Sequence, residues 1–414
     1  MSTLQAILGI IVLIAFCWLI SENRRKVKIK DIAVGLILPL LIALIVLKVP
    51  FFRYFFEVLN GIVLLLEKAT LAGTTFVFGY LGGGELPFDS KKPGATFIFG
   101  IQALPIILII SALSSLLFYW RILPFLVRIF SLLLQKTMGI GGAVGIGAAA
   151  NIFLGMVEAP LVIRPYLKLM NRSELFVTMS CGMAGIAGTT MVLVSSIIRK
   201  VIPDALGHIL IVSVISIPVA IMISRIMIPE EGGGLQGDVV IPQQAKSAMD
   251  AIAQGTIEGV QLLINIVAML IVLIGLVYLV NELIALLPYY NGHPLSLQRI
   301  LGWIMAPVMW LIGIPWAEAQ TAGSLMGTKT VLNEIIAYVE MANLAPEALS
   351  PKSRLILTYA MCGFANLGSL GIIIGGMGCM APERREEIVG LGFKSILAGT
   401  LATCLTGAIV GLIV

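Results

Sequence analysis

Two glutamates, Glu158 and Glu334, lie in apolar, glycine-rich surroundings and carry the strongest chemical signal in the sequence. Glu158 follows a long run without charge and is followed by Pro160, and Glu334 follows the amide Asn333. A carboxylate at membrane depth is energetically costly, so it normally faces a cavity and belongs to a functional site. Carboxylate oxygens accept several hydrogen bonds and can hold adjacent hydroxyls of a sugar, a cation or a proton. The alternative for Glu334 is a purely structural ion pair with Lys329.

The stretch Asn151–Pro160, N-I-F-L-G-M-V-E-A-P, predicts a hairpin that enters the membrane and returns. Proline removes a backbone donor and leaves a carbonyl that needs another partner, so a helix surrounded by lipid avoids it. We interpret this stretch as the tip of a re-entrant hairpin that binds a polar solute.

The composition is that of a helical integral membrane protein. Hydrophobic residues make up 59% of the 414 residues, charged residues 12%, and the mean hydropathy is +1.04. Soluble domains carry about 25% charged residues. The net charge of +5 does not indicate a nucleic-acid partner, because the basic residues lie in short loops where they set orientation. Five cysteines without a CxxC pair argue against a disulfide framework, a metal centre or another cofactor.

Charge-free runs near the length of a membrane span, roughly 20 residues, predict eight transmembrane helices. They are Met1–Ile20, Ile32–Leu47, Pro93–Trp120, Leu175–Ile198, Ala205–Ser224, Gly259–Asn281, Leu355–Pro382 and Ser395–Val414. The basic loop 21–30 predicts a cytoplasmic side there and an N-terminus outside the cell membrane, although Arg199 and Lys200 form a small basic cluster on the opposite side. Phe51–Thr70 and Arg121–Lys136 contain spaced charges and predict helices that lie in the interface.

The two halves of the chain, divided by a linker at Pro229–Gln244, resemble each other. Cys181–Gly188 follows Glu158, and Cys362–Ser369 follows Glu334; both octets begin C-G-x-A inside a charge-free span. Each half therefore predicts a polar hairpin followed by a glycine-broken helix. Inverted repeats with broken helices are typical of secondary transporters. Chance matching of small residues in membrane helices is the alternative.

Further polar groups lie in these broken helices. Asn366 and Ser369 are three residues apart and share a helix face, where they could serve a ligand or bond between helices. Asn151 and the turn Gly185–Gly188 could form an oxygen cage for sodium, since helix breaks free carbonyls for that purpose. Close packing by glycine is the alternative at that turn.

Three motifs in this order resemble the concentrative nucleoside transporters. They are Asn151–Pro160, the N-E-x-x-A-Y of Asn333–Tyr338 and the C-G-F-A-N-x-x-S of Cys362–Ser369. The resemblance spans nearly the whole chain and implies an all-α integral membrane fold with about eight transmembrane helices, two re-entrant hairpins in an inverted repeat, and interfacial helices. It also implies a homotrimer in which a transport part moves like an elevator against a scaffold part during cation-coupled import.

Site residues follow from the resemblance position by position. Glu334 would hold the ribose hydroxyls, with Asn366, Ser369 and Phe364 completing the ribose side. The base side would be lined by Gly155, Met156, Val157, Glu158 and Thr190. The sodium site would use Asn151, Leu154, Gly185 and Ile186, largely through backbone carbonyls.

The implied division of the chain has six parts. They are scaffold and interfacial helices in 1–136, the first transport repeat with a following helix in 137–228, a cytoplasmic linker in 229–258, a scaffold helix and loop in 259–300, the second transport repeat in 301–382, and a C-terminal transmembrane helix in 383–414.

Two departures from the family pattern keep alternatives open. Met156-Val157 stands where members often have a polar pair, which alters base recognition or points to another polar solute. Gly185 stands where members have a serine, so proton coupling through a glutamate is the alternative to sodium. An intramembrane enzyme that uses Glu158 and Glu334 as acid and base is disfavoured, since neither a nucleophile nor metal ligands stand out in the sequence.

Overall fold

The computed structural model describes residues 2–88, 96–230, 245–287, 289 and 294–414, and the secondary structure of this part of the chain is entirely helical. The α-helices are α1 Ser2–Leu19, α2 Ile29–Lys48, α3 Pro50–Phe78, α4 Ile106–Tyr119, α5 Ile122–Met138, α6 Gly142–Ala150, α7 Glu158–Val162, α8 Arg164–Leu167, α9 Arg172–Ala184, α10 Gly188–Ile198, α11 Ala205–Met227, α12 Ala248–Ala285, α13 Leu297–Leu311, α14 Trp316–Val331, α15 Glu334–Asn343, α16 Pro351–Met361, α17 Leu367–Met380 and α18 Arg385–Ile413. The start of the predicted span at Pro93 and the centre of the predicted linker, 231–244, lie outside the described residues.

Seven segments of the described chain are helical, long and apolar enough to cross a membrane. They include α2, α11, α12, α18, the pair α9–α10, and the segment Phe99–Tyr119 that ends in α4. The seventh, Gly61–Gly82, differs from the sequence prediction, which placed an interfacial helix at Phe51–Thr70. Glu67 forms an ion pair with Arg199 at 2.9 Å, so its charge is compensated. Spaced charges alone therefore did not reveal how far α3 continues as an apolar helix.

Helix α12 also begins earlier than its predicted span at Gly259. Ser247 caps it by accepting a hydrogen bond from the backbone N–H of Asp250 at 3.1 Å, which supplies a partner for one of the free N–H groups of the first turn. The predicted linker 229–258 is therefore shorter than expected, because residues 248–258 belong to the helix.

Each half of the chain contains a hairpin followed by a broken helix. Helices α6 and α7–α8 form hairpin 1, and α9 and α10 are separated by a short extended break at 185–187. Helices α14 and α15 form hairpin 2, and α16 and α17 are separated at 362–366. Helix α9 begins with a capping box between Asn171 and Glu174, and α16 is capped by Ser350.

Hairpin 2 leaves and returns on the side of the molecule where α1 begins. The side chain of Gln5, near the start of α1, donates to the carbonyl of Ile314 at 3.0 Å, just before α14. Glu318, in the first turn of α14, accepts a hydrogen bond from the N–H of Ser350 at 3.1 Å, beyond the end of α15.

Hairpin 1 leaves and returns at the other end of α1, about 27 Å away for a helix of this length. Arg172, which follows hairpin 1, pairs with Glu22 just after α1 at 2.9 Å. Arg225 donates to the carbonyl of Gly139, which precedes hairpin 1, at 3.2 Å, and pairs with Asp31 at 3.3 Å. The hairpins therefore enter from opposite sides, as an inverted repeat requires.

The helices of residues 1–136 pack against two different groups of partners. Helices α1 and α2 pack against α11 and α18, which are buried along most of their length. Helix α4 instead packs against α12. Glycines bring these two helices together, because a Cβ on Gly255 or Gly259 would meet Ser111 at 3.0 Å or less, as small residues do in membrane helix pairs.

Candidate functional site

The two hairpins place both glutamates at the first position of their returning arms. Glu158 begins α7, and Glu334 begins α15. The side chain of Asn333 caps α15 by accepting the N–H of Ile336 at 3.0 Å. The positive end of the helix dipole favours a carboxylate at such a position, so the local fold of hairpin 2 stabilises the charge that the site uses.

Glu334, Asn366 and Ser369 form one buried cluster between hairpin 2 and the second helix break. Their exposed fractions are 3%, 2% and 5%. The side-chain N–H of Asn366 donates to Oε2 of Glu334 at 3.1 Å, and Oδ1 of Asn366 accepts the N–H of Ser369 at 2.7 Å. The second bond caps α17 and fixes which end of the amide faces the carboxylate. These contacts join two of the sequence motifs in one place.

The ion pair considered for Glu334 is not formed. Lys329 is fully buried, and among the described residues its Nζ has no hydrogen-bond partner. Lys329 lies in the last turn of α14 and Glu334 begins α15, so both residues lie near the tip of hairpin 2. The Glu334 carboxylate is therefore hydrogen-bonded by the side-chain amide of Asn366 and not by the ammonium of Lys329.

The two helix breaks meet in the middle of the molecule. The N–H of Phe364 donates to the carbonyl of Gly185 at 3.2 Å, so the second break bonds directly to the first. The N–H of Gly188 donates to the carbonyl of Phe153 in hairpin 1 at 3.0 Å. A Cβ on Gly185 would lie 3.0 Å from the carbonyl oxygen of Asn151. This crossing brings backbone carbonyls of hairpin 1 and of the first break close together.

The four residues predicted for sodium lie at or beside this crossing. Asn151 is buried, and its side-chain N–H donates to the carbonyl of Gly147 at 3.0 Å. Ile186 is fully buried beside Gly185, while Leu154 lines a cavity next to the crossing.

That cavity, of about 160 Å³, separates hairpin 1 and the first break from α4 and α12. Gly155 and Glu158 face it from hairpin 1, and Glu158 is exposed there. Three serines and an aromatic pair line it from α4, and Gln254 and Glu258 line it from α12; the α4 residues are Ser111, Ser114, Ser115, Phe118 and Tyr119. A cavity of this size holds several water molecules.

The other residues predicted for the base side lie apart from this cavity. Met156 packs on Gly182 of α9, and Val157 packs on Gly376 of α17, so closely that a Cβ on these glycines would lie 3.2 Å and 2.9 Å from the two side chains. Thr190 is buried on α10. Phe364, which was predicted for the ribose side, is half-buried in the core. Met156 and Val157 therefore tie hairpin 1 to the broken helices of both repeats.

Glu258 was missed by the sequence reasoning. It faces the same cavity as Glu158, and the two carboxyl groups lie within electrostatic range of each other. The signal was present, since Glu258 is an isolated acid at the start of a long apolar run. Its assignment to a linker hid it.

Comparison with known proteins supplies the family. Residues 208–411 match the model described as the C-terminus of Na+ dependent nucleoside transporters, and residues 8–81 match the corresponding N-terminus. Residues 100–200 match a model described as nucleoside recognition. The nucleoside permease NupC of Helicobacter pylori is 34% identical over 100% of this chain and 98% of its own length.

Further relatives are also transporters. An uncharacterized transporter of Haemophilus influenzae is 37% identical over 100% of this chain and 98% of its own length. The solved structure of CNTnw in an inward-facing, substrate-bound state superposes with a TM-score of 0.90, at 34% identity over 100% of this chain and 98% of that one.

Proposed function

This chain belongs to the concentrative nucleoside transporter family, and we propose that it is a cation-coupled importer of nucleosides, with sodium as the ion. Family membership makes it a membrane transporter rather than an enzyme. The observation that carries the proposal is the buried cluster of Glu334, Asn366 and Ser369, in which a carboxylate from hairpin 2 and an amide from the second helix break converge.

The ribose end of a nucleoside fits the chemistry of this cluster. An ionised carboxylate accepts hydrogen bonds from adjacent hydroxyls, and such charge-assisted bonds are stronger than neutral ones. Asn366 is bonded to both Glu334 and the backbone of Ser369, so the acceptor is held in a fixed direction. Phe364, which the break places beside Asn366, offers an apolar surface for the sugar.

The base would lie toward hairpin 1, against Gly155 and Glu158. Met156 and Val157 are the next two residues of hairpin 1, and their apolar side chains pack on Gly182 and Gly376. Thr190 would complete the base side from α10. Because Met156 and Val157 supply no hydrogen bond to a base edge, we expect weak discrimination between purine and pyrimidine nucleosides. The same feature favours the second candidate, a transporter of this fold for another polar solute.

Sodium coupling is proposed at the crossing of the two breaks. Carbonyls of Asn151, Leu154, Gly185 and Ile186 would supply most of the ligands, since hard cations prefer oxygen. The carbonyl of Gly185 also bonds to Phe364 beside the ribose site. An ion that orders this carbonyl would therefore raise the affinity for nucleoside, and the nucleoside would raise the affinity for the ion by the same factor.

The proposal includes an elevator-like motion between two parts of the molecule. Helices α4 and α12 form an apolar cluster that meets only a few residues of the opposite part, among them Leu193 of α10 and Ile335 of α15. A small apolar contact beside a cavity suits sliding better than a deeply interlocked core does. We assign α4 and α12 to the scaffold, and both hairpins with both broken helices to the transport part.

Location and assembly belong to the proposal as well. We place the protein in the cytoplasmic (inner) membrane as a homotrimer, with the N-terminus outside. Arg24, Arg25 and Lys26 follow the C-terminal end of α1. Because basic residues mark cytoplasmic segments, they support a cytoplasmic position for that end of the helix. A second copy could cover the exposed apolar side chains of α12, such as Ile264 and Ile271.

Uptake of radiolabelled uridine and adenosine into proteoliposomes tests the function. The tests use an inward sodium gradient, an inward proton gradient, or no gradient. We expect accumulation with sodium alone. Accumulation with protons alone would move the coupling role to a glutamate such as Glu158, and no uptake of either nucleoside by folded protein would favour another solute.

A further inference from the structure

Lys329 is a buried cation to which the proposed function assigns no role. It lies in the last turn of α14 with no exposed surface, and in the described part of the chain its Nζ finds no hydrogen-bond partner. Burying an ammonium group without an acceptor is energetically costly. A position of this kind therefore needs a compensating charge nearby.

The compensating charge is the Glu334 carboxylate across the tip of hairpin 2. Lys329 ends one arm of the hairpin and Glu334 begins the other. A helix dipole favours a cation at its C-terminal end and an anion at its N-terminal end, so each charge lies at the end that stabilises it. Both groups are buried, and attraction between opposite charges is strong where water is excluded.

The other groups that face Lys329 cannot replace this partner. They are the thiols of Cys362, in the second break, and of Cys404, on α18. Both thiols are fully or almost fully buried in apolar surroundings, where a neutral thiol is the stable form. Neither thiol therefore replaces the Glu334 carboxylate as a counter-charge.

The distance between the two charges has a chemical consequence. A lysine bonded directly to the carboxylate would occupy lone pairs that ribose hydroxyls need. The ammonium makes no hydrogen bond to the carboxylate, whereas the side chain of Asn366 does and orients it. The carboxylate remains an acceptor for two adjacent hydroxyls.

We propose that Lys329 is a positioning residue for nucleoside recognition: a buried counter-charge that keeps Glu334 an ionised acceptor while leaving its oxygens to the ribose. The assignment rests on the proposed nucleoside substrate. It predicts that removing the charge of Lys329 weakens binding through the ribose hydroxyls only.

The functional test compares uridine with 2′,3′-dideoxyuridine in Lys329→Met, which keeps the length of the side chain. We expect the dissociation constant for uridine to rise about tenfold, the factor that weakening charge-assisted hydrogen bonds by about 1.4 kcal/mol gives. Binding of the dideoxy compound should stay unchanged. Equal losses for both ligands, or no loss for uridine, would overturn the proposal.

A thermal unfolding cycle tests the charge pair without any ligand. Lys329→Met and Glu334→Gln should each lower the melting temperature, because each leaves the other charge buried and uncompensated. The double variant should recover most of the summed loss. Additive losses would overturn the pairing.

Arg354→Met provides the matched control. Arg354 is also a buried cation, but it donates to the carbonyls of Leu349, Met341 and Ala345. Its loss should add to that of Glu334→Gln without coupling. If the wild type binds no nucleoside, the proposed function fails, and the unfolding cycle decides the charge pair by itself.

Discussion

Replacing Glu334 by glutamine removes one charge from the site and almost nothing else. The amide has the same shape, and the side-chain N–H of Asn366, 3.1 Å from Oε2, can still donate to the new carbonyl oxygen. Asn333 continues to cap α15 through its own side chain. We therefore expect a folded protein whose ribose site has lost its anionic acceptor.

The size of the effect follows from the hydrogen bonds that change. A bond to a charged acceptor contributes about 1.5–3 kcal/mol, against about 0.5–1.5 kcal/mol for a neutral one. Two ribose hydroxyls on the carboxylate of Glu334 would each lose roughly 1–1.5 kcal/mol. A total of about 2–3 kcal/mol corresponds to a dissociation constant for uridine that rises roughly 30- to 150-fold.

Isothermal titration of purified protein with uridine measures this change directly. Glu340→Gln is the control, because Glu340 lies on the same helix α15 and has no place in the proposed site. We expect that variant to bind uridine as the wild type does. A Glu334→Gln protein that binds uridine within about threefold of the wild type would refute the reasoning from charge-assisted bonds.

Three further predictions concern the packing in hairpin 1, the packing between α4 and α12, and the ion pair of Glu22 near the end of α1. A Cβ on Gly155 would fall on Oε2 of Glu158, so Gly155→Ala should displace that carboxylate and lower uridine uptake several-fold, while Gly371→Ala, with open space at its Cβ, should not. Gly255→Leu should lower the melting temperature, because its Cβ would lie 2.6 Å from the backbone oxygen of Ser111 and overpacking destabilises by about 1–3 kcal/mol; Gly275→Leu, with open space on the same helix, is the control. The pKa of Glu22 is lowered from 4.5 to about 2, mainly by the hydrogen bond from Arg172 and further by the hydrogen bond from Lys394. A lowered pKa stabilises the fold fully above pH 4.5 and loses that effect as the pH falls toward 2. The melting temperatures of wild type and Glu22→Gln should therefore differ at pH 7 and converge as the pH falls from 4.5 toward 2.

Much of the architecture was readable from local chemistry. The proline after Glu158 predicted the first hairpin, and the likeness of the two halves predicted the second; both glutamates begin the returning arms. The C-G-x-A octets predicted helix breaks, and the structure breaks both helices there. Such signals survive folding because they depend on missing backbone donors and on capping, which are local properties.

Features that depend on long-range contacts were not readable. Nothing in the residues around Glu67 revealed its ion pair with Arg199, so the continuation of α3 was missed. The crossing of Phe364 on Gly185 joins residues that are far apart in sequence. The packing of Met156 and Val157 onto Gly182 and Gly376 likewise needed the tertiary structure.

A cryo-electron microscopy structure of the wild-type protein with saturating uridine tests the central claim most directly. The account predicts a nucleoside whose two ribose hydroxyls lie within hydrogen-bond distance of the Glu334 carboxylate and whose base points toward hairpin 1. A nucleoside seated elsewhere, with its ribose hydroxyls away from the Glu334 carboxylate, would contradict it.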